Sequence, residues 1–144
     1  MKTAQVRFYL DADILGLASI LGPLRNDITF PGAPGAVIHK RQRPACPIES
    51  TDVPDTDWLP IVAERGWLVI SRDHNIRENI AERRAVLEHG VKMVALAGKD
   101  AGTKWKQLQL VMQRWDRIEA LANETGPFIH LASRNRMAPL DLHS

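Results

Sequence analysis

Apolar and polar positions along this chain follow two rhythms. Val6–Leu10, Trp67–Ile70 and Lys92–Leu96 are short, mostly apolar runs, the pattern of strands buried on both faces. Asp27–Phe30 and Phe128–Leu131 are weaker versions of the same pattern. Longer stretches at helical spacing separate them: Ile14–Leu24, weakened by Gly16 and Gly22; Asp57–Arg65, closed by Gly66; Asn75–His89, closed by Gly90; and Thr103–Asn123. The last is the clearest, with Trp105, Leu108, Val111, Met112, Trp115, Ile118 and Ala122 along one apolar stripe. Residues 31–54 break both rhythms with five prolines and a basic centre, His39-Lys40-Arg41-Gln42-Arg43, and read as a long loop. Strand and helix in alternation predict an α/β domain on a parallel sheet, over residues 1–132, with a polar tail over 133–144. Sheets of this kind place ligands at the carboxyl ends of their strands.

Composition narrows this only slightly. The 144 residues are 44% apolar and 25% charged, enough for one core. A formal charge of +2 permits contact with nucleic acid without demanding it. Cys46 is the sole cysteine, which excludes an internal disulfide and suits a reducing cytoplasm. With no His/Cys cluster around it, a thiolate metal site or catalytic cysteine is not expected. The first residues do not form a signal peptide, and no apolar run approaches the length of a membrane span.

The carboxylates change the picture more. Asp11 and Asp13 follow the first strand, Asp73 follows the third, and Asp55 and Asp57 open the helix between. If those strands are neighbours, Asp11 and Asp73 emerge together and repel, and a hard cation bound through oxygen is the usual remedy. Helix capping is the competing reading for each aspartate. Asn75 and Glu78 have capping-box spacing, so Asp73 is not needed as a cap. Pro60 fits the first turn if Asp57 is the cap, but would clash with the Thr56 carbonyl if Asp55 were. Asp13 suits the cap of the first helix. The acids left over are Asp11, Asp55 and Asp73. Glu82 reads first as part of a solvated face.

The segments Phe8-Tyr9-Leu10-Asp11-Ala12-Asp13, Pro54-Asp55-Thr56-Asp57-Trp58-Leu59-Pro60 and Arg65-Gly66-Trp67-Leu68-Val69-Ile70-Ser71-Arg72-Asp73, with Ala81-Glu82-Arg83 and Gly90–Leu96 after them, resemble the PIN-like domain superfamily. The likeness spans roughly residues 6 to 97 and is closest to the VapC-type toxins of bacterial toxin–antitoxin systems. It implies a three-layer α/β/α sandwich with a mainly parallel central sheet. It also implies Mg²⁺- or Mn²⁺-dependent endoribonuclease activity, in which a metal-activated water attacks the RNA phosphodiester. On this likeness Asp11, Asp55 and Asp73 are catalytic metal ligands, assisted by Asp13 and Asp57. Glu82 is the best match to a further helix glutamate of the superfamily. Arg72, Arg77, Lys40, Arg41 and Arg43 are the expected RNA-phosphate contacts, with Arg134 and Arg136 as further contacts for RNA or a partner. An RNA substrate and a cognate antitoxin are the implied partners. Trp105 and Trp115 are read first as core and second as a homodimer contact.

Two rivals stand beside this reading. Asp11-Ala12-Asp13 after a first strand, with Ser71 ending a later one, also fits a haloacid-dehalogenase-like phosphotransferase with Asp11 as nucleophile. The other is a PIN-like binding module without turnover. His74 is weighed as a general base and set aside.

Overall fold

The computed structural model describes residues 1–73 and 75–143. Its element order is β1 (Phe8–Leu10), α1 (Leu15–Leu21), β2 (Ile28–Thr29), β3 (Ala36–Ile38), β4 (Arg41–Arg43), α2 (Asp55–Arg65), β5 (Leu68–Arg72), α3 (Ile80–His89), β6 (Lys92–Leu96), α4 (Lys104–Ala122), β7 (Phe128–Ala132) and β8 (Met137–Pro139). Six strands form one sheet in the order β2-β1-β5-β6-β7-β8, parallel throughout except for β8. The mainly parallel three-layer α/β/α architecture expected from the sequence is present.

Side chains alternate across the sheet and feed two cores. Phe8, Leu10, Leu68, Ile70, Val94 and Leu96 pack with Leu17 and Leu21 of α1 and with Leu110, Val111, Ile118 and Leu121 of α4. Tyr9, Val69, Met93, Ala95 and Ile129 face the other way, against Trp58, Leu59 and Val62 of α2 and Val86 of α3. Burying each large apolar side chain contributes roughly 1.5–3 kcal/mol. Both faces are covered, which is why the strands read as apolar runs rather than as alternating patterns.

Several boundaries differ from the sequence reading, for local reasons. The first helix ends at Leu21, not Leu24, because Pro23 has no N–H with which to continue it. Helix α2 starts at Asp55 with Pro54 as its N-cap, so Pro60 lies inside the helix. Thr56, whose carbonyl loses its helical donor, is exposed and can be solvated. Helix α3 starts at Ile80, five residues late: Asn75 takes a left-handed φ of 66° and residues 75–79 form a separate turn. The capping pair is therefore Asn79 and Glu82, not Asn75 and Glu78; Asn79 Oδ1 accepts the Glu82 N–H at 3.0 Å.

Residues 31–54 are not a bare loop. They contain the β3–β4 hairpin, whose turn residues His39 and Lys40 both have positive φ. Gln42 N donates to the Lys2 carbonyl at 2.9 Å, and Asn26 Nδ2 donates to that of Ile38 at 3.0 Å. These contacts seat the hairpin beside the residues that lead into β1 and β2, at the edge where the parallel strands begin. After residue 132, where a polar tail was expected, β8 turns back along β7.

Candidate metal centre

Neighbouring strands β1 and β5 leave the sheet in opposite directions. β1 leads to α1 on one face and β5 leads to α3 on the other, so a crevice opens beyond their carboxyl ends. Asp11 and Asp73 stand at its mouth. Asp11 N still donates to the Ile70 carbonyl at 3.0 Å, and Asp73 N to that of Leu96 at 2.7 Å, so both backbones are fixed by the sheet. A cavity of about 140 Å³ there is lined by Asp11, Asp13, Asp55, Asp73 and Glu82, with Ser71, Arg72, Ile76 and Ala95.

Each aspartate is held by a protein donor. Asp11 Oδ1 accepts the Ala12 N–H at 2.7 Å, capping the 3-10 turn Ala12–Ile14. Asp13 does not cap α1; its Oδ2 reaches across to accept the Arg72 N–H at 3.2 Å. The capping role expected of Asp13 thus falls to Asp11, and both residues line the cavity. Asp73 Oδ1 accepts the Ile76 N–H at 2.7 Å and so holds the turn before α3. Asp55 Oδ1 accepts the Trp58 indole N–H at 2.8 Å, and the Trp58 ring packs tilted against the buried Tyr9, 5.3 Å between centroids. A base contact for Trp58 is thereby excluded: it is core.

Asp57 does not line the cavity. With α2 beginning at Asp55, Asp57 lies two residues on in the same turn and points about 200° away. It favours the helix dipole instead. Glu82 moves the other way. Because the chain breaks at the 75–79 turn, Glu82 falls in the first turn of α3 and comes back over the cavity. Its signal in the sequence was the Asn79-to-Glu82 spacing, hidden by the similar pair one turn earlier.

The carboxylates feel one another. Burial, then the charges of Asp55, Asp11 and Asp73, push the Glu82 carboxyl up to about 7. Asp13, although an exposed residue, has its carboxyl pushed up to about 6, first by desolvation within the cavity; the Arg72 N–H opposes this and Glu82's charge adds to it. Burial and then Asp11's charge raise the Tyr9 phenol, which stays protonated. Among the described residues, no group of three or more His, Cys, Asp or Glu side chains is disposed to hold a metal ion as it stands. The chemistry of the donor set still fits a hard divalent cation: the candidate donors lining the cavity are carboxylate oxygens brought to one place from four segments.

The basic residues divide. Arg72 lines the carboxylate cavity. Arg77 lines an adjoining one with Asp73. Lys40 and Arg41 are exposed, but at the far edge of the sheet, away from the carboxylates. Arg43 is 4% exposed, and its Nη1 donates to the carbonyls of Gly22 at 3.0 Å and Ile28 at 2.9 Å. That arginine anchors the hairpin and is not available to RNA. His74 lies outside the described residues. A cavity of about 430 Å³ beside Lys106 and Arg134 contains none of the five carboxylates. Trp115 packs at 4.9 Å from Phe8, whereas Trp105 is 67% exposed, so only one of the pair is core.

Comparison with known proteins agrees with this fold. A family model described as "PIN like domain" matches residues 7–98. A curated protein of Mycobacterium tuberculosis (strain ATCC 25618 / H37Rv), named "Putative ribonuclease VapC45", is 30% identical over 82 residues, 57% of this chain. The chain spans 59% of that relative's length. No solved structure matches. Among the described residues no helix is long and apolar enough to cross a membrane. With the family model covering well over half of its length, the chain belongs to the PIN-like domain family.

Proposed function

We propose that this chain is a metal-dependent endoribonuclease, the toxin of a toxin–antitoxin pair acting in the cytoplasm. The observation that carries the proposal is the convergence of Asp11, Asp13, Asp55, Asp73 and Glu82, from four separate segments, on one cavity at the sheet's switch point. The related ribonuclease supports the choice of RNA.

In this reading Asp11, Asp55 and Asp73 hold Mg²⁺ or Mn²⁺, with Asp13 and Glu82 beside them. The cation, when bound, supplies charge against the phosphate oxygens and eases deprotonation of the attacking water. The protein supplies placement. Ala12 N–H, Trp58 N–H and Ile76 N–H orient the three aspartates before substrate arrives. Arg72 offers a positive group to the phosphate at the same cavity. Glu82, protonated in part near pH 7, would bind a cation only in its ionised form, with its proton released to solvent. An antitoxin would restrain the activity, and a homodimer through α4 would use exposed Trp105 and Met112 rather than Trp115.

RNA cleavage with Mn²⁺, compared among wild type, Asp11→Asn and Asp73→Asn, tests the proposal. Loss in both variants is expected; equal activity in all three would sink it. Family membership favours the nuclease over the phosphotransferase. The binding-module reading is favoured by the lack, among the described residues, of a ready metal cage, and the same assay decides it.

A further inference from the structure

A second cavity, of about 260 Å³, adjoins the carboxylates and shares Asp73 with them. Its charged rim is Arg77 and Arg136, and its apolar lining is Ala97, Leu131, Ala138 and Pro139. We propose that this cavity seats a phosphate of the RNA strand next to the one placed at the carboxylates. The inference rests on the nuclease reading for its substrate, and on three observations of its own.

First, the two arginines are uncommitted. Among the described residues neither guanidinium has an ion-pair or hydrogen-bond partner. Arg7, Arg25, Arg43 and Arg114, by contrast, are tied to carboxylates or carbonyls.

Second, both arginines stand on braced backbone. Arg77 lies in the 75–79 turn, pinned by the bond from Ile76 N to Asp73 Oδ1. Arg136 lies in the β7–β8 turn. There Ser133 N donates to the Arg136 carbonyl at 2.7 Å and Arg136 N donates to Ser133 Oγ at 3.0 Å. Arg114 Nη2 donates to the Ser133 carbonyl at 2.7 Å, and Arg134 N donates to Asp100 Oδ2 at 2.9 Å. A guanidinium on a fixed perch loses less freedom when it takes a phosphate.

Third, the alternative exit is acidic. On the other side of Asp55 and Glu82, a groove between α2 and α3 is lined by Glu88 and by no lysine or arginine. Among the described residues, a polyanion passing beyond Arg72 and the carboxylates therefore meets arginines on the Arg77–Arg136 side and none in the α2–α3 groove. The small apolar residues there leave room for a sugar edge against the sheet.

The test separates binding from cleavage. Fluorescence anisotropy of a short labelled oligouridylate is measured in EDTA over a NaCl series. The full-length proteins compared are wild type, Arg77→Gln, Arg136→Gln, the double variant, and Lys40→Gln/Arg41→Gln. Each arginine change is expected to weaken binding several-fold at low salt and to flatten the log–log salt slope by about 0.7, the value for one phosphate contact on a single strand. The Lys40/Arg41 variant should keep the wild-type slope. An unchanged slope in the double variant, or no wild-type binding, overturns the seat. Wild type that cleaves RNA with Mn²⁺ while the double variant binds and cleaves equally well leaves the nuclease reading standing and the seat refuted. Binding that depends on both arginines, with no cleavage by wild type, supports the seat and refutes the nuclease.

Discussion

The two edges of the sheet handle charge in opposite ways. Where the parallel strands begin, Arg7, Arg25, Asp27 and Glu119 are matched with one another. Asp27 takes both Arg25 Nε and Nη2 at 2.9 Å, and Glu119 sits 3.5 Å from Arg7 and 3.6 Å from Arg25. Where the strands end, carboxylate faces carboxylate, and Glu82 and Asp13 are driven toward their neutral forms. A matched edge stabilises the fold and leaves nothing for a ligand. A crowded edge costs stability, and a cation is what would recover it.

Exchanging neutral for charged groups on either edge breaks this contrast in measurable ways. The largest effect is expected from Asp11→Asn. Asparagine can still cap the 3-10 turn, so the fold should survive while Mn²⁺-dependent RNA cleavage falls by about 100-fold or more. In that variant a divalent cation should no longer raise the melting temperature, which differential scanning fluorimetry reads directly.

Asp27→Asn comes next, with the opposite outcome. Asp27 is largely buried and takes charge-assisted bonds, so its loss should destabilise the fold by about 2 kcal/mol in urea titrations. Cleavage by the remaining folded protein should be unchanged. If Asp27→Asn abolished cleavage without unfolding the chain, the separation of the edges would fail.

A smaller effect follows from pH. The Glu82 carboxyl is raised from 4.5 to about 7, so between those values the folded chain binds more protons than the unfolded one. The stability it contributes is present below pH 4.5 and is lost as pH rises through about 7. Metal-free wild type should therefore melt lower at pH 7.5 than at pH 5.5, by about 3 °C. Glu82→Gln should flatten that slope, and Mg²⁺ should reverse it. The smallest effect is expected for Lys40→Gln/Arg41→Gln, whose cleavage should stay within about twofold of wild type, since exposed charges at the far edge act weakly through solvent.

The sequence disclosed whatever depended on local pattern. β6 and α4 lie where their apolar rhythm puts them, with Thr103 and Asn123 as the caps at either end of α4. Asp11 and Asp73 were legible because strand ends are legible. What escaped notice was set by contacts distant in sequence. The β3–β4 hairpin turns on His39 and Lys40, both at positive φ, where the usual signal is Asn or Gly. Arg43 reads as surface charge until the carbonyls of Gly22 and Ile28 are seen around it. Asp57 and Glu82 exchanged importance because the starts of α2 and α3 each shifted by a few residues. On a helix, two residues are enough to turn a side chain away.

One consequence lies in the order of synthesis. Phe8 pairs with Leu68, and the cavity needs Asp11 from the first strand and Glu82 from the third helix. While only the N-terminal half has been made, Asp11 and Asp13 face solvent with no counterparts, and no acidic crevice exists. A partly made chain on the ribosome thus lacks the crevice until α3 has emerged and β1 has found β5. The long loop closure that slows this pairing also delays the moment at which the crevice forms. A nick anywhere between residues 14 and 54 that frees β1 from β5 would take the crevice apart.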